Sequence, residues 1–125
     1  MNSVTTARPK RCGLDHGVDI CSLVTPLGVC RARAFLYPSG GALGIALLDR
    51  EGEMQWVLSV NLPTAPQLER GEFYAKTYSE NEEVARLALA GGSFRASNRA
   101  VTSGFVNVPV WSVVDATLLE PLYSD

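Results

Sequence analysis

Val29-Cys30-Arg31-Ala32-Arg33-Ala34-Phe35-Leu36-Tyr37 alternates two kinds of side chain without interruption. A β-strand turns successive side chains to opposite faces, so Val29, Arg31, Arg33, Phe35 and Tyr37 share one face while Cys30, Ala32, Ala34 and Leu36 share the other. The second set carries no charge and is the core face. Pro38, Ser39, Gly40 and Gly41 then form a turn cluster, and Leu43-Gly44-Ile45-Ala46-Leu47-Leu48 follows as a continuous apolar run. A strand of that character belongs at the centre of a sheet.

The pattern extends in both directions from this pair. Asp49, Arg50, Glu51 and Gly52 make a hairpin turn into residues 54–61, where Met54, Trp56, Leu58 and Val60 alternate with Gln55, Val57, Ser59 and Asn61. Pro63 and Pro66 end that strand, and Gly71 opens another over 72–77 with Phe73 and Ala75 inward and Glu72, Tyr74 and Lys76 outward. Ser79 and Glu82 have the S-x-x-E spacing of a capping box, and Glu80, Glu82 and Glu83 put negative charge at the positive end of a helix dipole. A helix over 80–90 is predicted, with Val84, Leu87 and Ala88 as its apolar stripe, a Glu82 to Arg86 pair on its surface and Gly91-Gly92 as its stop.

Beyond the helix, Ser97 and Asn98 read as a turn between a short strand near Phe94 and another over 99–102. A last strand covers 105–114, and Pro109, which lacks a ladder donor, makes it an edge strand or a bulged one. Trp56 and Trp111 fall in alternating segments and are assigned to core packing. Upstream, 18–25 reads as a short strand before the Pro26/Gly28 turn. The predicted fold is α+β: a mainly antiparallel sheet of five or six strands, curved or partly closed, with one helix packed on it. Its organisation is a flexible arm over 1–20, a single domain over 21–118 and a tail over 119–125.

Val60-Asn61-Leu62-Pro63, Gly71-Glu72-Phe73, Lys76-Thr77-Tyr78-Ser79-Glu80-Asn81-Glu82 and Gly104-Phe105-Val106 followed by Val110-Trp111 occur in this order across 33–114. In order and approximate spacing they resemble a family of small bacterial proteins, often carried on plasmids and other mobile elements, described only as a domain of unknown function. The resemblance implies an intracellular bacterial setting and carries no activity, cofactor or catalytic residue with it.

Composition narrows the partners. The 125 residues are 46% hydrophobic and 19% charged, with a formal net charge of −2, so neither a basic nucleic-acid binder nor a densely acidic mimic of DNA is indicated. Apolar runs fall short of a bilayer span, and residues 1–11 lack the apolar segment of an export signal. Cys12, Cys21 and Cys30 form an odd set, which points to reduced thiols in a cytoplasm, with a Cys12 to Cys21 bridge open only in an oxidising compartment.

Three groups of residues compete as sites. Cys12, His16, Cys21 and Cys30 carry zinc-ligand chemistry without a C-x-x-C knuckle, and His16 beside Asp15 offers a base for a Cys12 or Cys21 nucleophile, but neither spacing outweighs unliganded thiols. Glu80, Glu82 and Glu83 are explained by helix capping. Arg31, Arg33, Phe35 and Tyr37, joined by Tyr74 and Lys76 if these lie nearby, would make a face able to stack bases and contact phosphates. The same residues equally describe the wet face of a sheet. The expectation is therefore a non-enzymatic, protein-binding accessory module of a mobile element with no cofactor or metal, possible targets being host defence or regulatory proteins. Single-stranded nucleic-acid binding and a small Cys/His enzyme are the alternatives.

Overall fold

The computed structural model describes residues 12–123. Among them the chain forms β1 (Val18–Thr25), β2 (Gly28–Leu36), β3 (Leu43–Leu48), β4 (Met54–Val57), β5 (Glu72–Tyr74), α1 (Glu82–Ala90), β6 (Phe94–Ser103), β7 (Val106–Val113) and α2 (Glu120–Tyr123). The fold is α+β, as the sequence predicts, but the described residues form seven strands rather than five or six, these divide into two antiparallel sheets, β1-β2-β3-β4 and β5-β7-β6, and a second short helix is present.

The alternation at 29–37 does what a half-buried strand requires: Cys30, Ala32, Ala34 and Leu36 are buried against the core. All six residues of β3 are buried, and β3 lies between β2 and β4. In the smaller sheet Phe73 packs edge-on to both Phe94 and Trp111, with ring centroids 5.8 Å and 6.1 Å apart. Val84, Ala85 and Ala88 of α1 complete that core, with Leu119 and Leu122 from the C-terminal segment.

Beyond β4 the chain remains extended and links the sheets. Leu58 N–H donates to Ile45 O, Val60 N–H to Tyr74 O and Lys76 N–H to Leu58 O, while Ser59 bridges Ala75. The sheets are joined here but do not close into a barrel. Ser59, buried, uses its hydroxyl to accept from Ile45 N–H at 2.9 Å and pairs with Tyr37 Oη at 2.8 Å. Ser59→Ala leaves a buried N–H of the central strand without its acceptor and is expected to cost about 2 kcal/mol in chemical denaturation. A loss below a few tenths of a kcal/mol would show that Ile45 N–H finds another partner.

Several expectations require correction. Residues 12–20, assigned to an arm, are docked: Gly13 N–H donates to Leu36 O at 2.7 Å, and β1 pairs with β2 from Val18↔Ala34 onward. Residues 1–11 of that arm, and residues 124 and 125 of the tail, lie outside the described residues. Residues 119–123, assigned to a tail, are packed on the domain, because Leu119 and Leu122 bury apolar side chains that a free tail would leave in water.

The helix begins at Glu82 after a 3-10 turn over Ser79–Asn81, and no side chain caps it; Ser79 has φ 59° instead of the extended geometry a capping box needs. Ala85 takes the buried place expected of Leu87, and Arg86 pairs with Glu83 rather than Glu82. β6 is one strand through Ser97 and Asn98, because a register shift between Ala96 and Ala100 absorbs the surplus residues and Ser97 Oγ donates to Val110 O at 2.8 Å. β7 is the central strand of its sheet, so Pro109 is not on an edge; it lies opposite Ala100, where β6 resumes its register after the shift. Its carbonyl accepts from Ala75 N–H, and the missing return bond coincides with the end of β5.

Candidate functional site

The outer face of the four-stranded sheet is covered at one end and open at the other. At the covered end Phe35, Ala46 and Leu48 pack with Leu14 and Tyr37. In the middle Asp19 binds both arginines, Arg31 at 2.7 Å and Arg33 at 3.0 Å, and Arg33 Nε also donates to Leu14 O. At the open end two hairpin turns, β1–β2 and β3–β4, flank a shallow hollow lined by Leu27, Gly28, Val29, Arg31, Asp49 and Arg50.

Apolar side chains crowd this end without cover. Val24 is 68% exposed, Leu27 65%, Val29 58% and Met54 53%. Val24 and Val29 are direct cross-strand partners, so they stand side by side on the outer face. Met54, across the sheet on β4, is turned to the same outer face by a register shift: Trp56 pairs with inward Leu47, yet Met54 pairs with outward Leu48, so the residue between them is an insertion. Simple alternation put Met54 in the core with Trp56; the extra residue at Gln55 turns it out.

Both turns are held rigidly. Thr25 Oγ1 accepts from Leu27 N–H at 3.1 Å and donates to Gly28 O at 2.6 Å. Asp49 accepts from Glu51 N–H, Glu53 N–H and Gln55 Nε2, which lowers its carboxyl below the usual range, the Glu53 backbone bond contributing most. A carboxyl held low in the folded state stabilises the turn above its unfolded pKa, and that contribution is lost as pH falls through its folded value. Amide exchange at Glu51 and Glu53 should therefore accelerate, relative to other turns, as the solution is acidified below the ordinary carboxylate range. Unchanged relative protection would mean that Asp49 does not hold this hairpin.

The residues expected to form an Arg/aromatic face do not converge. Arg31 and Arg33 lie together but share Asp19, which satisfies much of their charge. Phe35 is buried, and Tyr37 packs edge-on to it at 5.0 Å and is bonded to Ser59. Tyr74 is in the other sheet, buried beneath Val60, Leu62, Ala65 and Leu68, with its hydroxyl donating to Pro66 O at 2.5 Å. It does not face water, because the 60–68 loop is an apolar cover over β5 and β7. Lys76 pairs with Glu80 at 2.6 Å.

The cysteines are separate free thiols, Cys30 buried and Cys12 and Cys21 partly so. Burial raises the Cys21 thiol above its usual value despite a hydrogen bond from Ser93, the opposite of what activates a nucleophile. Asp15 and His16 lie in a 3-10 turn, and among the described residues no three His, Cys, Asp or Glu side chains cluster as metal ligands. Trp111 is buried and Trp56 packs partly buried against the core.

Alternation places Val29 and Arg31 on the outer face. It gives no sign of the exposure of Val24 and Leu27, although Val24-Thr25-Pro26-Leu27 shows apolar residues flanking a turn, where polar ones are usual. Among the described residues no helix is long and apolar enough to cross a membrane. No protein-family model, curated protein or solved structure matches this chain.

Proposed function

We propose that this protein is a non-enzymatic binding module whose working surface is the open hairpin end of the four-stranded sheet. The observation that carries the reading is the Val24/Val29 cross-strand pair with Leu27 in the turn that joins them, each more than half exposed, beside a second turn, both turns being closed by their own hydrogen bonds. Exposed apolar groups on a rigid support lose little conformational entropy on binding, which is the property of an interface anchor. Arg50 lines the hollow and makes no ion pair among the described residues, whereas Arg31 there is paired with Asp19 and the carboxylate of Asp49 is occupied by its own turn. The fitting partner is a protein surface that presents apolar side chains beside carboxylates. A bacterial mobile-element setting, and action in the cytoplasm on a host defence or regulatory protein, rest on the motif resemblance and the unpaired cysteine count.

The test compares affinity capture from bacterial lysate by the wild-type chain and by a Val24→Ser/Leu27→Ser/Val29→Ser variant. These side chains are already in water, so the variant should fold with unchanged circular dichroism. A partner held by the wild type and lost by the variant, with retention weakened by salt, is the expected result. Identical partner sets from two folded proteins would remove this surface from consideration.

A further inference from the structure

We infer that a second site, the cleft between residues 40–43, the 60–70 loop and α2, binds a small apolar monocarboxylate. The cleft encloses about 450 Å3, within the roughly 300–1,000 Å3 of small-molecule sites. Leu43, Val60, Leu62 and Phe73 give it an apolar lining suited to a hydrocarbon or aromatic body. Arg70 stands at its edge with its guanidinium 4.1 Å from the centroid of the Tyr123 ring, both residues lining the cleft.

With the guanidinium over the Tyr123 ring, the N–H groups that do not point at the ring are left for a planar acceptor such as a carboxylate. Among the described residues Arg70 makes no ion pair. The two carboxylates of the cleft limit the charge it accepts. Glu72 is bound by Arg99, but Glu69 makes no ion pair among the described residues and stands next to Arg70 in the chain. A ligand carboxylate set against Arg70 is attracted there while Glu69 repels it, and a second ligand charge would add to the repulsion alone. The site therefore favours a monocarboxylate over a phosphate ester or a diacid, and an acid with an apolar body over acetate. Binding here is independent of the hairpin end of the other sheet.

Octanoate, octanol and octyl phosphate, each titrated below its micelle concentration, separate the elements of this inference. Saturable amide shifts at Gly41, Leu62, Leu68 and Tyr123 are expected with octanoate, with affinity at least about tenfold weaker for octanol and for octanoate on Arg70→Gln, the loss of one charge-assisted interaction. Arg70 is exposed, so the variant should keep its fold, which its spectrum reports directly. Arg70→Lys should bind between the two, keeping the charge without the planar fork. Absence of saturable shifts, equal binding of octanol, or unchanged octanoate affinity in Arg70→Gln would overturn the site. Tighter binding of octyl phosphate would overturn the assignment to a monocarboxylate.

Discussion

Asn81→Asp is expected to destabilise the protein by about 3 kcal/mol at pH 7, although it exchanges only an amide for a carboxyl of the same shape. Asn81 is 1% exposed, and its Nδ2 donates to Val57 O at 2.7 Å and Lys76 O at 3.0 Å. One side chain thereby ties the start of α1 to the end of β4 and to the segment that follows β5. A carboxylate would turn acceptor oxygens toward two carbonyl oxygens, and burial would resist its ionisation. The introduced carboxyl should therefore titrate above its unfolded value. Below that value it is neutral in both states and the penalty is smallest; as pH rises, the unfolded chain ionises while the folded one resists, and the penalty grows. Urea denaturation at pH 4 and pH 7 should show the difference between variant and wild type widening with pH. A constant difference would mean that the two carbonyls find other donors.

The second large effect is expected at Gly44, also about 3 kcal/mol for Gly44→Val. Phe35 and Gly44 are cross-strand partners, and the Phe35 ring lies directly over the glycine. A Cβ added there would meet Phe35 Cζ at 2.5 Å, well inside van der Waals contact. Valine would drive the ring into solvent and strip cover from Ala46 and Leu48, which pack with it. Gly44→Ala should produce a smaller loss of the same sign. If Gly44→Val unfolds at the wild-type denaturant midpoint, the ring is free to leave without cost and the covered end of the outer face is not a packed cluster.

These two residues also mark what was readable in the sequence. Alternation at 29–37 identified the buried face of β2, and the uninterrupted apolar run identified β3 as central, because both signals depend on residues adjacent in sequence. Phe73 and Ala75 were found for the same reason. Asn81 was not, since its acceptors, Val57 O and Lys76 O, come together only when the strands assemble; the motif around it instead suggested a capping box that the backbone does not form. Tyr74 obeyed alternation yet is buried, because an aperiodic loop bearing Leu62, Ala65 and Leu68 folds over it. Insertions are the other blind spot. The displaced register at Gln55 turns Met54 outward, and the shift in β6 merges what looked like two strands.

The candidate site was legible only in part. The outward direction of Val29 and Arg31 follows from a period of two, but their neighbours across the hairpin are set by pairing register. Asp19 bridges Arg31 and Arg33 and offsets one of their two charges, from a strand whose bulge the sequence does not announce, and the aromatic residues are buried or elsewhere, so the expected basic aromatic face does not form. The exposed Val24, Leu27 and Val29 cluster owes its order to Thr25, whose hydroxyl closes the turn beneath it.

The most direct measurement places a photo-activated crosslinking side chain at position 27 and, in a separate sample, at position 86 on the exposed face of α1. After irradiation in bacterial lysate, a discrete protein adduct is predicted from position 27 alone, disappearing when Val24 and Val29 are also changed to serine. Adducts of equal yield from both positions, or from position 27 regardless of Val24 and Val29, would contradict a partner gripped at the hairpin end.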